Sequence, residues 1–320
     1  MLVSEVIHFD SARTLSNLLG SDNRALGSVN EAFSVETTTR DGWVKINGQA
    51  EAVEAASTLF RFLEGALRKG ISIRKHELHY AISAVKEGNL DELEGLWATG
   101  ISLSNRKPMV LAKTFTQKQY LAAIKEVDLV FGLGPAGTGK TFLAMAAALK
   151  ALKKSDVSKV ILTRPAVEAG EALGFLPGDL QEKLYPYLRP LYDALHDLMD
   201  REEVQKFSDK GLIEVAPLAY MRGRTLSKAF VILDEAQNAT TEQMFMFLTR
   251  MGEGSKCVIT GDVSQIDLPR NRKSGLIEAL DALQNTKGIR FVTFKDSEIV
   301  RHELVSRIVQ AYQKHRTKPE

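Results

Sequence analysis

The chain has 320 residues, 44% of them hydrophobic and 26% charged, with 42 Lys and Arg against 40 Asp and Glu and one cysteine, Cys257. This balance excludes a disordered or fibrous chain, and a lone cysteine excludes an internal disulfide framework or a cysteine-based zinc site. No apolar stretch approaches the roughly 18 residues that span a bilayer, and the start MLVSEVIHFD lacks a basic region followed by an apolar core, so a cytoplasmic protein without membrane contact is expected.

Residues 28–67 read strand, turn, strand, helix. Phe33 and Val35 alternate, Asp41-Gly42 marks a hairpin turn, Val44 and Ile46 alternate again, and Val53, Ala56, Phe60 and Leu63 recur at helical spacing. With the helix-like residues before it, this segment resembles a KH-type RNA-binding module, a small α+β domain. The KH loop needs GxxG for close backbone approach to nucleotides. The corresponding place reads Gly20-Ser21-Asp22-Asn23, where an Asp repels phosphate, so a small domain that packs or oligomerises fits the same pattern. Gly100 to Lys113 carries Gly, Ser, Asn and Pro108 without a sustained period and reads as a linker. The expected domains are therefore 1–107 and 108–320. Up to Val110 there are 12 basic and 14 acidic residues, leaving 30 and 26 for the remainder. The first segment is slightly acidic and the second slightly basic, so nucleic-acid contact has to come from local patches.

In the second segment Thr116 and Gln119 stand at capping-box spacing, predicting a helix from Gln117. Gln117 is placed to read an adenine edge, with Tyr120 either a stacking partner or a core residue. Short apolar runs then alternate with helical patterns: strands are expected at 128–133, 159–163, 212–215, 230–233, 257–260 and 290–294. Continuous apolar runs separated by helices indicate a mainly parallel sheet covered on both faces, a doubly wound α/β core.

The string GPAGTGKT follows the first of these strands and precedes the helical run FLAMAAALKAL, which matches the P-loop pattern in the context its chemistry needs. Glycines let the loop of Gly134, Pro135, Ala136, Gly137, Thr138 and Gly139 wrap, so that successive backbone N–H groups point at a phosphate at a helix N-terminus. Lys140 is expected to reach the β- and γ-phosphates and the Thr141 hydroxyl to ligate Mg²⁺. The run AFVILDEAQNA ends a buried strand in Asp234 and Glu235, placing both acids where ligands bind in this architecture. Asp234 suits the Mg²⁺ contact and Glu235 the polarisation of an attacking water. In KCVITGDVSQIDLP a third strand ends in Gly261-Asp262, and Gln265 is placed to sense the γ-phosphate or the hydrolytic water.

These elements in this order, together with TRPAVEAGEALGFLPGDLQEK at 163–183, resemble the PhoH-like family of P-loop ATPases over nearly the whole chain. The resemblance implies ATP binding and hydrolysis with Mg²⁺ in a RecA-like core related to superfamily 1 helicases. It also implies a role in RNA metabolism, a hexamer, and a YbeY-type endoribonuclease as a partner. About 210 residues follow the linker, enough for one such core, so a neighbour in a homo-oligomeric ring is needed to complete a composite site. Arg301 in SEIVRHELVSRIVQAYQ, beside the stripe Leu304, Ile308 and Tyr312, is the candidate trans arginine, favoured also by the resemblance, and Arg164 is a competitor. RNA-binding candidates are Arg222, Arg224 and Lys228, and Arg270, Arg272 and Lys273. The stripe Leu184, Leu188, Leu191, Leu195 and Leu198 reads as core or subunit interface. An ATPase remodelling RNA or RNA–protein complexes is the leading expectation. The alternative is a nucleotide-dependent adaptor that assembles with a ribonuclease without unwinding RNA, and a small-molecule kinase ranks below both.

Overall fold

A computed structural model describes residues 2–19, 24–73, 75–98, 100–104, 106–165, 180–269 and 271–298. The chain divides into two compact units, one comprising 1–102 and 108–113, the other 103–107 and 114–320.

The first unit runs β1 (Leu2–His8), α1 (Ala12–Leu19), α2 (Arg24–Phe33), β2 (Glu36–Arg40), β3 (Trp43–Gln49), α3 (Ala50–Arg68), α4 (Lys75–Glu87) and α5 (Leu90–Trp97). Its three strands form an antiparallel sheet in the order β1-β3-β2. Asp41 and Gly42 join β2 to β3 with φ of 48° and 88°. Positive φ at both central residues is what a two-residue hairpin loop of right-handed twist requires. The face of α3 bearing Val53, Ala56, Phe60 and Leu63 is buried, as its period predicts. One reading is corrected, and one strand lies outside the segment the sequence pattern covers. Phe33 ends α2 rather than opening a strand, because Leu26, Val29 and Phe33 form a helical stripe buried in the core. Leu2–His8 is a strand, whose alternating inward face includes Ile7. Residues 20–23, the place of a KH loop, lie outside the described residues.

The second unit contains α6 (Phe115–Glu126), β4 (Leu129–Leu133), α7 (Lys140–Lys153), β5 (Lys159–Arg164), α8 (Leu180–Leu198), α9 (Arg201–Asp209), β6 (Ile213–Pro217), β7 (Ala229–Leu233), α10 (Thr241–Leu248), β8 (Lys256–Gly261), α11 (Gly275–Ala282) and β9 (Ile289–Thr293). The six strands are all parallel, in the order β6-β5-β7-β8-β4-β9. Each falls within two residues of its sequence-predicted span, and the inner strands β4, β5, β7 and β8, buried on both faces, show as nearly unbroken apolar runs. Phe131, Ile161, Val231 and Ile259 point with α10 and α11 into one apolar layer. The alternate residues face the side where α6, α7 and α8 pack. The fold is thus an α/β doubly wound parallel sheet, with a small antiparallel sheet in the preceding unit. Leu188, Leu191, Leu195 and Leu198 of α8 are buried. Among the described residues no helix is long and apolar enough to cross a membrane.

A candidate nucleotide site at the strand ends

The loop from Gly134 to Gly139 links β4 to α7, and Gly139 is the N-cap of α7. Its glycines at 134, 137 and 139 have φ of 127°, 88° and 82°, conformations that side chains with a Cβ adopt at a cost. Gly134 is constrained twice, since a Cβ there would stand 2.5 Å from the Phe294 carbonyl oxygen. Its N–H donates to the Gly261 carbonyl at 3.1 Å, tying the loop to β8. Lys140 Nζ donates to the carbonyls of Gly134 and Pro135 at 2.6 and 2.7 Å. Thr138 Oγ1 donates to the Pro135 carbonyl at 3.0 Å. Gly134 to Thr141 therefore wraps the N-terminal end of α7, where backbone donors and the helix dipole favour an anion.

Asp234 follows the last residue of β7 and is buried. Its N–H donates to the Thr163 carbonyl at 2.8 Å. Its Oδ1 accepts from the Thr141 hydroxyl at 2.6 Å and the Thr260 hydroxyl at 2.8 Å, so the ends of β7, β8 and α7 converge on one carboxylate. A hydroxyl and a carboxylate oxygen this close are donors suited to Mg²⁺, which binds through one or two carboxylates while phosphates and waters fill its remaining positions. Among the described residues no group of three or more His, Cys, Asp and Glu is arranged to hold a metal. Thr260 was not legible as a site residue, because a threonine in a β-branched strand gives no signal of its own.

Glu235 adopts a left-handed backbone, φ 52° and ψ 41°, at a cost of about 1–2 kcal/mol for a non-glycine residue. Gln237 Nε2 donates to its Oε2 at 2.5 Å, and Arg164 Nη2 lies 3.4 Å from its Oε1. Gln237 is buried and also accepts the Asp262 N–H at 3.0 Å. Asn238 accepts the Asp267 N–H at 2.8 Å. Both were missed in the sequence. Their signal is polar residues continuing DEAQN into a short buried turn, where each amide has to find a partner. Asp262 in turn accepts from Ser264 N–H and Oγ at 3.0 and 2.6 Å and from Gln265 Nε2 at 2.7 Å. Lys140, Thr141, Arg164, Asp234, Glu235 and Gln265 line one cavity of about 420 Å³, which Pro190 and Ala194 of α8 also border.

Other sequence-predicted residues fall differently. The N-cap of α6 is Thr114, whose Oγ1 accepts from the Gln117 N–H at 3.2 Å; Thr116 lies inside the first turn. Gln117 is buried and its Nε2 donates to the Thr138 carbonyl at 3.0 Å, so it braces the phosphate loop from behind. Tyr120 is fully buried, edge-on to Phe294 at 5.4 Å, and is a core residue rather than a stacking platform. Burial, and then the charge of Asp234, pushes its pKa well above the ordinary tyrosine value. Arg224 makes paired hydrogen bonds to Glu214 at 2.6 and 2.7 Å, which hold that carboxyl below its usual range, whereas Arg222, Lys228, Arg272 and Lys273 are exposed. Arg270 and the helix proposed around Arg301 lie outside the described residues, as does most of 163–183.

The PhoH-like protein family model matches residues 109–313. A PhoH-like protein of Bacillus subtilis is 49% identical over 298 residues, covering 93% of each chain. Protein PhoH of Escherichia coli is 44% identical over 227 residues, 70% of this chain and 64% of that one. Among solved structures, Pif1 helicase from Candida albicans aligns with 63% of this chain and 43% of its own at 16% identity and a TM-score of 0.35. With a family model over the larger part of its length and relatives near half identity over almost all of it, this chain belongs to the PhoH-like protein family.

Proposed function

We propose that the chain is a Mg²⁺-dependent ATPase that couples hydrolysis to the remodelling of RNA or RNA–protein complexes. The observation that carries the hydrolase reading is the Asp234 carboxylate, 2.6 Å from the Thr141 hydroxyl at the mouth of the Gly134–Thr141 loop, with Glu235 beside it. Thr141 and Asp234 would hold Mg²⁺, which supplies neutralisation of phosphate charge. The loop N–H groups and Lys140 bind and orient the phosphates, and α8 limits water around them. Glu235 accepts a hydrogen bond from the attacking water, and Gln265 orients that water or the terminal phosphate.

The RNA part rests on the family resemblance and on the exposed Arg222, Lys228, Arg272 and Lys273, since phosphate contacts by Lys and Arg supply most sequence-independent affinity. The ring is proposed on the same resemblance and on one motor core per chain, with Arg301 of one subunit serving the next and a YbeY-type endoribonuclease as a partner. The test is ATP turnover with and without single-stranded RNA, on the wild type, Lys140→Ala and Glu235→Gln, with mass measured by light scattering. The expected result is RNA-stimulated turnover by an oligomer, lost in both variants. Turnover indifferent to RNA removes the RNA part alone, and slow turnover with ATP-dependent assembly on a ribonuclease favours the adaptor.

A further inference from the structure

Arg164 ends β5, beside β7, and its side chain is 23% exposed at the wall of the nucleotide cavity. Among the described residues its two contacts are long: Nη2 lies 3.4 Å from Glu235 Oε1, and Nη1 donates to the Tyr187 carbonyl at 3.4 Å. Good N–H···O hydrogen bonds measure about 2.7–3.2 Å. The other carboxylate oxygen of Glu235, by contrast, is gripped by Gln237 at 2.5 Å. Glu235 is thus fixed on one side by a short bond, while a loosely held guanidinium stands beside its other, partly exposed oxygen.

We infer that Arg164 is the terminal-phosphate sensor of its own chain's site. In the arrangement seen, it occupies Glu235 Oε1. A bound nucleoside triphosphate competes for the same guanidinium, because phosphate oxygens accept a planar fork of N–H donors in pairs at short range. When Arg164 moves to the terminal phosphate, Glu235 Oε1 is uncovered for the attacking water. A diphosphate lacks the competing group and leaves Arg164 on Glu235. The step exchanges contacts and makes or breaks no covalent bond. It ties readiness for hydrolysis to the identity of the nucleotide, and it needs no residue from a neighbouring subunit. This inference rests on the hydrolase reading above.

Calorimetric titration of Mg·ADP and of a Mg-bound β,γ-imido triphosphate into the wild type, Arg164→Ala, Arg164→Lys and Glu235→Gln tests it. Arg164→Ala is expected to weaken triphosphate binding by about 10- to 100-fold, the loss of a charge-assisted contact, with diphosphate affinity essentially unmoved. Arg164→Lys keeps the charge without the fork and is expected to fall between. Glu235→Gln removes the competing carboxylate and is expected to tighten triphosphate binding alone. The ADP titration doubles as a check of folding, and where Arg164→Ala binds no ADP the Lys variant decides. An unchanged triphosphate-to-diphosphate ratio in Arg164→Ala or, in that case, Arg164→Lys, overturns the sensor while leaving the nucleotide site standing. A wild type that binds neither nucleotide overturns both.

Discussion

Replacing Gly134 by Ala asks for two incompatible things at once. The residue has φ 127°, and holding a side chain in so sparsely populated a region costs about 1–3 kcal/mol. The added Cβ would also stand 2.5 Å from the Phe294 carbonyl oxygen and 3.1 Å from its carbonyl carbon. That obstacle is backbone, pinned where the Phe294 N–H donates to the Leu133 carbonyl at 2.8 Å, so it cannot rotate aside as a side-chain tip would. Overpacking of this kind costs about 1–3 kcal/mol, bringing the total to about 2–6 kcal/mol, a large part of a typical domain's stability of about 5–15 kcal/mol. At about 2–4 °C per kcal/mol for a unit of this size, the melting transition should fall by about 4–24 °C. Differential scanning calorimetry measures it, with ADP titration on the same samples. A Gly134→Ala protein that melts within about 2 °C of the wild type and binds ADP equally well refutes the reasoning.

The same exchange at Gly65, inside α3 with nothing within 4 Å of the added methyl, should stabilise by about 0.5–1 kcal/mol through helix propensity, read as a higher urea midpoint. Thr260→Val removes the hydroxyl that donates to Asp234 at 2.8 Å and should cost about 1.5–3 kcal/mol, the worth of a hydrogen bond to a charged group; an unchanged urea midpoint counts against it. Cys257 is buried, and burial alone pushes its thiol far above the ordinary range, so unfolding releases a group that ionises near pH 8.5. Its folded pKa is raised, so stability is intact below about pH 8.5 and falls above it by about 1.4 kcal/mol per pH unit, and Cys257→Ala should lose that slope in unfolding measured between pH 8 and 10.

The inner strands were legible because burial on both faces leaves them almost wholly apolar: Phe230 to Leu233 and Cys257 to Thr260 lie in strands as expected. The strand at Leu2–His8 was not, because the consecutive Ser4 and Glu5 break the apolar alternation, with Glu5 falling on the same inward face as Val3 and Ile7. The cap of α6 shows a different failure. Thr114 and Gln117 have the same spacing as Thr116 and Gln119, so pattern alone does not choose between them. The choice is made by a contact 21 residues away, the Gln117 amide on the Thr138 carbonyl. The acids and the phosphate loop were readable from their strings. What holds Glu235 in place was not, since Gln237 and Arg164 reach it from a turn and from a separate strand.

The strand order carries a consequence for how the protein is made. β4 hydrogen-bonds only to β8 and β9, whose first residue, Lys256, is synthesised more than a hundred positions after Leu133. A ribosome that has delivered the phosphate loop has therefore delivered a strand without a neighbour and a lysine without opposing acids. Even when Asp234 emerges, the Thr260 rung that joins its strand to β4 is still to come. Nucleotide capture is therefore expected only once Gly261 has emerged from the ribosome, so a product truncated before β8 keeps every glycine of the loop but lacks the strand that pairs with β4. Stalled-ribosome lengths ending before and after β8 should show that step as an abrupt gain of ATP-agarose retention.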